Sequence, residues 1–271
     1  PDRGYIISCN NKIVNDSYPY FLGNSFMNGF RANRINQIFS SSSKISIEMS
    51  KKLHTDIYSI PAEKFVNGMI KGFRTAKPNV QFVMDKLLDW DFNLDKDSTA
   101  ATIYQILMYT IIRKLVENDL GKELTDEFMG VGKHPLLLPT SELLGHTTEA
   151  LFKMFQNPQS LWLKSNKDII DLLEGSMVDT YNWLKSNFQD ENDWKWGNLH
   201  QVTFRHGMSI KKPLDRILNI GPFPIGGDTD TVFQTAYNPL SPYHATEWCP
   251  AVRLIMDVGK WDNSFVISPP G

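Results

Sequence analysis

Cysteine is scarce: the 271 residues include two, Cys9 and Cys249. That excludes a disulfide scaffold and a cysteine-rich zinc site. Both lie in strand-like segments at opposite ends of the chain and could meet, but sequence distance gives no reason to pair them, so two buried free thiols are expected. Net charge is also lacking, at -2, which removes any electrostatic case for nucleic acid or an anionic membrane as partner. No apolar run approaches the ~20 residues of a membrane span. The longest, from Ile103 to Val116, is interrupted by Gln105, Arg113 and Lys114. Internal repeats and low-complexity runs are missing apart from Ser40 to Ser43. What remains is 41% hydrophobic and 21% charged, the composition of an ordinary globular chain with ample core.

The chain changes character twice. Residues 1–40 read as a strand, a turn and a helix start, with Tyr5, Ile6 and Ile7 favouring the strand. Residues 41–190 read as mainly helical. Ser43 stands where a helix through Ile45, Ile47, Met49 and Leu53 would be capped, and Pro61 and Pro78 suit first helical positions. Asp97-Ser98 opens the best helix, with Ile103, Ile106, Leu107, Ile111 and Leu115 as its apolar stripe and Gly121 after its end. Further helices are predicted around Glu149 to Phe155 and Lys167 to Leu184. Residues 191–271 read as mainly strands: Val202 to Phe204, Thr231 to Tyr237, Ala251 to Val258 and Ser264 to Ile267. The N-terminal strand most economically shares a sheet with them, so the class is α+β, taken as one unit over residues 1–271.

Chemistry is sparse on a bare reading. Asn10 and Asn11 close the first strand, and a side-chain amide on a rigid element is a good donor to an oxyanion. The bland alternative is that Asn simply favours the turn. Acidic Asp89, Asp91, Asp95 and Asp97 match no standard calcium loop and read as a solvated, cap-rich connection. His200, His206, Ser209 and Asp228 are the residue types of a triad, but no strand-turn-helix elbow surrounds Ser209.

Motifs dispersed along the chain are more specific. An apolar strand runs from Ile6 into Asn10-Asn11; Tyr18-Pro19 follows, then Arg31 to Ile35. Downstream come Leu88-Asp89-Trp90-Asp91, Asp97-Ser98-Thr99-Ala100-Ala101 and Trp196-Gly197-Asn198-Leu199-His200-Gln201. Gly226-Gly227-Asp228-Thr229-Asp230-Thr231-Val232 and Val252-Arg253-Leu254-Ile255-Met256-Asp257 complete the set. In this order they resemble the penicillin acylase family of N-terminal-nucleophile hydrolases, within its large catalytic subunit.

The resemblance implies part of a layered αββα core, elaborated by the helical middle. It implies an amidohydrolase acting on linear N-acyl bonds, on penicillins and cephalosporins or on acyl-homoserine lactones, made as a self-cleaving precursor. The nucleophile would be a serine freed at the large subunit's N-terminus, its α-amino group serving as base. That serine would precede Pro1, so the chain is expected to be an internal piece of a longer, periplasmic or extracellular protein. The remaining parts of the precursor and an N-acyl amide are its implied partners. Asn10 matches the oxyanion asparagine. Arg34 best matches an arginine supporting the site, with Arg31 the competing match. Phe26 falls where an acyl-pocket aromatic stands, a core phenylalanine being the alternative. Asp230 lies in a turn where some relatives carry acids near the site. No cofactor is implied: calcium-binding members carry an aspartate three residues after Tyr-Pro, where this chain has Leu22. A non-catalytic binding protein keeping the fold is the rival reading.

Overall fold

The computed structural model describes residues 3–133, 141–157, 160–163, 165–239 and 248–268. Its organising element is helix α5, Thr99–Phe128. Ser98 starts it by accepting from Ala101 N (3.1 Å), a side-chain cap that satisfies one otherwise orphaned amide. From Ala100 to Met108 every residue is buried, so this stretch is a central helix with no solvent face. The predicted stripe is therefore only part of what it buries. Thr102, Tyr104 and Gln105 are enclosed as well.

Helices α4 (Pro78–Leu88) and α7 (Asn166–Asn187) pack on α5 and on each other. Val80, Val83 and Leu87 of α4 and Leu173, Met177 and Leu184 of α7 are almost completely enclosed. Each such side chain contributes roughly 1.5–3 kcal/mol on burial. Phe82, Tyr181 and Trp194 close one end edge-to-face, with centroids 5.6–6.2 Å apart. The smaller helices α1 (Phe30–Ser40), α2 (Ile47–Leu53), α3 (Ile60–Phe65) and α6 (Thr147–Gln156) surround this core. The cap of α2 is Ser46 rather than Ser43, since the Ser46 hydroxyl accepts from Met49 N at 3.2 Å. Gly121, at φ 71°, breaks α5, but helix resumes directly beyond it. Arg113 pairs with Asp126 and ties the second piece back to the first.

Two predicted strands are absent. Residues 5–10 join no strand among the described residues, and Ile6 is 85% exposed. Without a partner ladder the segment is held by side chains: Tyr5 donates to Asn36 Oδ1 (2.9 Å) and packs edge-on against Phe39. It therefore shares no sheet with the C-terminal strands. Thr231 to Tyr237 is not a strand either. The Asp228 carboxylate captures the backbone N–H groups of Asp230 (2.8 Å) and Thr231 (3.0 Å) and folds the segment into a buried turn.

The strands that do form are short. After the single-turn helix α8 (Trp196–Leu199), β1 (Gln201–Phe204) pairs antiparallel with β2 (Ile220–Pro224), which follows α9 (Asp215–Leu218). Val202 faces Phe223, and the register shifts before Phe204↔Ile220. Strands β3 (Arg253–Ile255) and β4 (Phe265–Ile267) make a second antiparallel pair, Leu254 opposite Val266. The fold is α+β, with turns outweighing strand in the last eighty or so residues. Cys9 and Cys249 are free and half-buried.

Candidate active site

The backbone around Asn10 is distinctive. Asn10 sits at φ 61°, in the left-handed region that Asn tolerates better than other side-chain-bearing residues. Its carbonyl accepts from Met27 N at 2.8 Å, and Asn11 bridges to Met27 in parallel. This lays residues 26–28 beside residues 9–11 and turns the chain directly into α1.

Arg31, in the first turn of α1, then reaches back. Its Nη2 donates to Cys9 O and to Asn10 Oδ1, both at 2.8 Å. A guanidinium has donors only, so the atom of Asn10 facing it is the carbonyl oxygen. The Asn10 amide is thereby oriented: oxygen toward Arg31, exposed NH2 with no acceptor among the described residues. Asn11 is arranged differently. Its Oδ1 accepts from Cys9 N (3.0 Å) and its Nδ2 donates to Lys12 O (3.0 Å), so that amide is consumed in its own turn. Of the two asparagines, Asn10 is the one whose NH2 has no acceptor among the described residues.

Arg34 is placed elsewhere. One helical turn beyond Arg31, it makes a bidentate pair with Asp56 (2.8–3.1 Å) and covers the Tyr58 ring at 4.3 Å. It pins α1 to the loop after α2 and does not approach Asn10. The arginine on Asn10 is Arg31. Phe26, half-buried, lies one residue before the Met27 bridge and packs over Gly23, where an added Cβ would stand 3.3 Å from the ring. Leu22 is exposed. Among the described residues no group of three or more acidic, His or Cys side chains is placed to hold a metal ion.

Behind Arg31 lies a buried polar layer. Asn28 donates through Nδ2 to Gly145 O (2.7 Å) and to Asp230 Oδ1 (2.6 Å), while its Oδ1 accepts from Phe30 N at the start of α1. Thr148 and Arg31 lie near enough to Asp230 to favour its charged form. Gln105 of α5 donates to Asp228 Oδ2 (2.7 Å). Burial raises the pKa of both aspartates, and the Asp230 charge lifts Asp228 further, to about 7. Burial likewise pulls Arg31 below the usual guanidinium value, although it stays protonated at neutral pH. An adjoining cavity of about 30 Å³, lined by Gln105, Thr148, Asp228 and Tyr237 among others, is large enough to hold a water.

The imagined triad does not assemble. His200 is fully buried, stacked on Trp196 with centroids 4.6 Å apart, and its Nε2 meets Thr235 Oγ1 at 3.0 Å. Asp228 is engaged by Gln105 and by the turn's own amides. The Nδ1 of His206 accepts from Met208 N. Neither histidine is aimed at Ser209. The layer formed by Asn28 and Gln105 was not foreseen from the sequence. Buried amides inside helical or turn patterns were its one signal.

The penicillin amidase family model matches residues 1–271. The chain is 26% identical over 268 residues to penicillin acylase 2 proenzyme of Pseudomonas sp., covering 97% of this chain and 32% of that protein. It is 24% identical over 300 residues to the acyl-homoserine lactone acylase QuiP of Pseudomonas aeruginosa, covering 100% of this chain and 35% of that one. The chain thus spans about a third of the length of these curated relatives. A thermostable penicillin G acylase from Alcaligenes faecalis superposes with TM-score 0.49 at 12% identity, over 72% of this chain and 38% of that one.

Proposed function

The chain belongs to the penicillin amidase family, and from that premise we propose that it forms one wall of the active site of an amidohydrolase cleaving linear N-acyl amides. In this reading a serine outside these 271 residues attacks the amide carbonyl. The acyl group passes to that serine, the amine leaves, and water releases the carboxylic acid. Asn10 supplies a donor to the oxyanion that forms in each half-reaction. The observation that carries the reading is its amide: the Arg31 guanidinium holds the oxygen, and the exposed side chain keeps an NH2 with no acceptor among the described residues. A donor fixed before charge develops needs no reorganisation in the transition state, and removing one typically costs ~10²–10³ in rate. Phe26, beside the same segment, is proposed as part of the acyl-binding surface. Penicillin-type and acyl-homoserine-lactone-type side chains are the substrate classes that the relatives' names suggest. The remaining parts of the precursor are the proposed partner, and an exported, periplasmic or extracellular location goes with this reading.

The test uses the full-length protein and a chromogenic N-acyl anilide. Asn10→Ala is expected to lower kcat by about 100-fold or more with little change in KM, since the contact is made to the oxyanion and not to the ground-state amide. A fall of less than tenfold removes Asn10 from the mechanism. Absence of turnover by wild-type protein favours the non-catalytic binding protein instead.

A further inference from the structure

Asn10 is held by Arg31, and the helix start that carries Arg31 is tied to a buried carboxylate about two hundred residues further along the chain. We propose that Asp230 is a positioning residue for the oxyanion donor, acting on Asn10 through Arg31 and through the start of α1. This rests on the reading of Asn10 given above and extends it to residues that touch no substrate.

The connection is continuous. Asp230 Oδ1 accepts from Asn28 Nδ2 at 2.6 Å, and Asn28 Oδ1 accepts from Phe30 N at 3.2 Å. The Phe30 amide is one of the four at a helix start that lack an intrahelical acceptor, and Gly29 offers no side-chain cap. Asn28 therefore fixes the first turn of α1, and Asp230 fixes Asn28. The next residue is Arg31, whose Nη2 makes the paired contacts to Cys9 O and Asn10 Oδ1. The Asp230 carboxylate also stabilises that half-buried guanidinium by its charge. Asn28 and Asp230 are 5% and 6% exposed, so solvent does not replace either link. Asp230 is itself held from behind: its N–H donates to Asp228 Oδ1, and Asp228 is fastened to α5 by Gln105. The rigid central helix is thus tied through two aspartates and one asparagine to the arginine that aims Asn10. An oriented donor needs this second layer because a displacement of about 1 Å can forfeit ~10²-fold in rate.

The experiment is a double-mutant cycle in the full-length protein, read as kcat and KM on the anilide. Asp230→Asn is expected to lower kcat at least tenfold with KM changed less than threefold. In the Asn10→Ala background the same substitution is expected to lower kcat by less than threefold, because the group it positions is gone. Equal losses in the two backgrounds, or unchanged kcat in Asp230→Asn alone, overturn the positioning role and leave the reading of Asn10 standing. No effect of Asn10→Ala by itself would instead sink that reading. Should Asp230→Asn fail to fold, Asn28→Ala is put through the same cycle with the same criteria. It breaks the link to Phe30 N while leaving the carboxylate in place.

Discussion

His200 shows how a residue that looks catalytic can be structural. The Thr235 hydroxyl donates to Gly226 O at 2.8 Å, so toward His200 it acts as acceptor, and the imidazole proton sits on Nε2. Nδ1 is then a bare acceptor, buried without a partner among the described residues. Protonating it would place a charge against Trp196 with nothing to receive it, and burial holds the pKa down at about 3. Below the ordinary value of ~6.5 the folded chain therefore binds fewer protons than the unfolded one. Stability from this group is complete above about pH 6.5 and is lost as pH falls toward 3. Asp228 acts in the opposite sense. Its pKa, raised to about 7, gives stability that is present at acid pH and lost as pH rises from ~4 to about 7. A wild-type curve mixes the two, but a difference between proteins separates them. His200→Gln is expected to lose about 1–3 kcal/mol at pH 7 and to be less acid-sensitive than wild type between pH 6.5 and pH 4. Denaturant midpoints across that interval measure it; parallel curves would show that His200 is not protonated on unfolding.

At the level of elements, the turn from Gly226 to Thr235 does what the sequence assigned to a strand. Thr231, Val232 and Phe233 favour extended backbone, yet the Asp228 carboxylate takes two N–H groups that a ladder would use. Gly227 permits this by adopting φ 80°, with Phe233 O only 2.5 Å from where a Cβ would lie. Gly227→Ala is expected to cost at least about 2 kcal/mol, from strained backbone plus collision with a carbonyl. Gly68→Ala, in the π-helical turn Val66–Ile70, meets nothing within 4 Å and is expected to be neutral or stabilising by up to ~1 kcal/mol. Urea titration of the two variants checks the contrast, and equal effects would refute it. The helices were legible because their signals are local: Pro61 and Pro78 at first turns, Ser98 as cap, apolar residues at helical spacing. The Asp228 turn and the unpaired first strand were not, since each depends on what long-range contacts supply or withhold. The arginines fall in the same class. Arg31 and Arg34 sit one turn apart on α1, and only the placement of Asp56 and Cys9 decides which of them reaches Asn10.

Taken whole, the chain is unevenly covered. Its helical centre is enclosed on all sides at Ile103, Leu107 and Ile111, whereas the β3–β4 ladder leaves Leu254, Val266 and Ile267 between 45% and 66% exposed. Flanking Val252, Met256, Val258 and Trp261 are exposed as well, as are Ile6 and Phe21 near the other end. A two-stranded ladder is marginal by itself, and contiguous exposed apolar surface marks an interface. One side of this ladder meets α2, where Lys51 lies 3.9 Å over the Phe265 ring. The curated relatives are about three times as long as this chain, and under the function proposed above further segments of a longer precursor are the expected cover. If so, amides from Arg253 to Ile267 exchange with solvent deuterium at least about tenfold more slowly in the full-length protein than in the 271-residue chain, because opening the ladder then also exposes apolar area. Amides of α5 from Ile103 to Leu115, already enclosed, exchange at similar rates in both. Equal exchange across the ladder in the two proteins would mean that the exposed face is covered by nothing in the precursor.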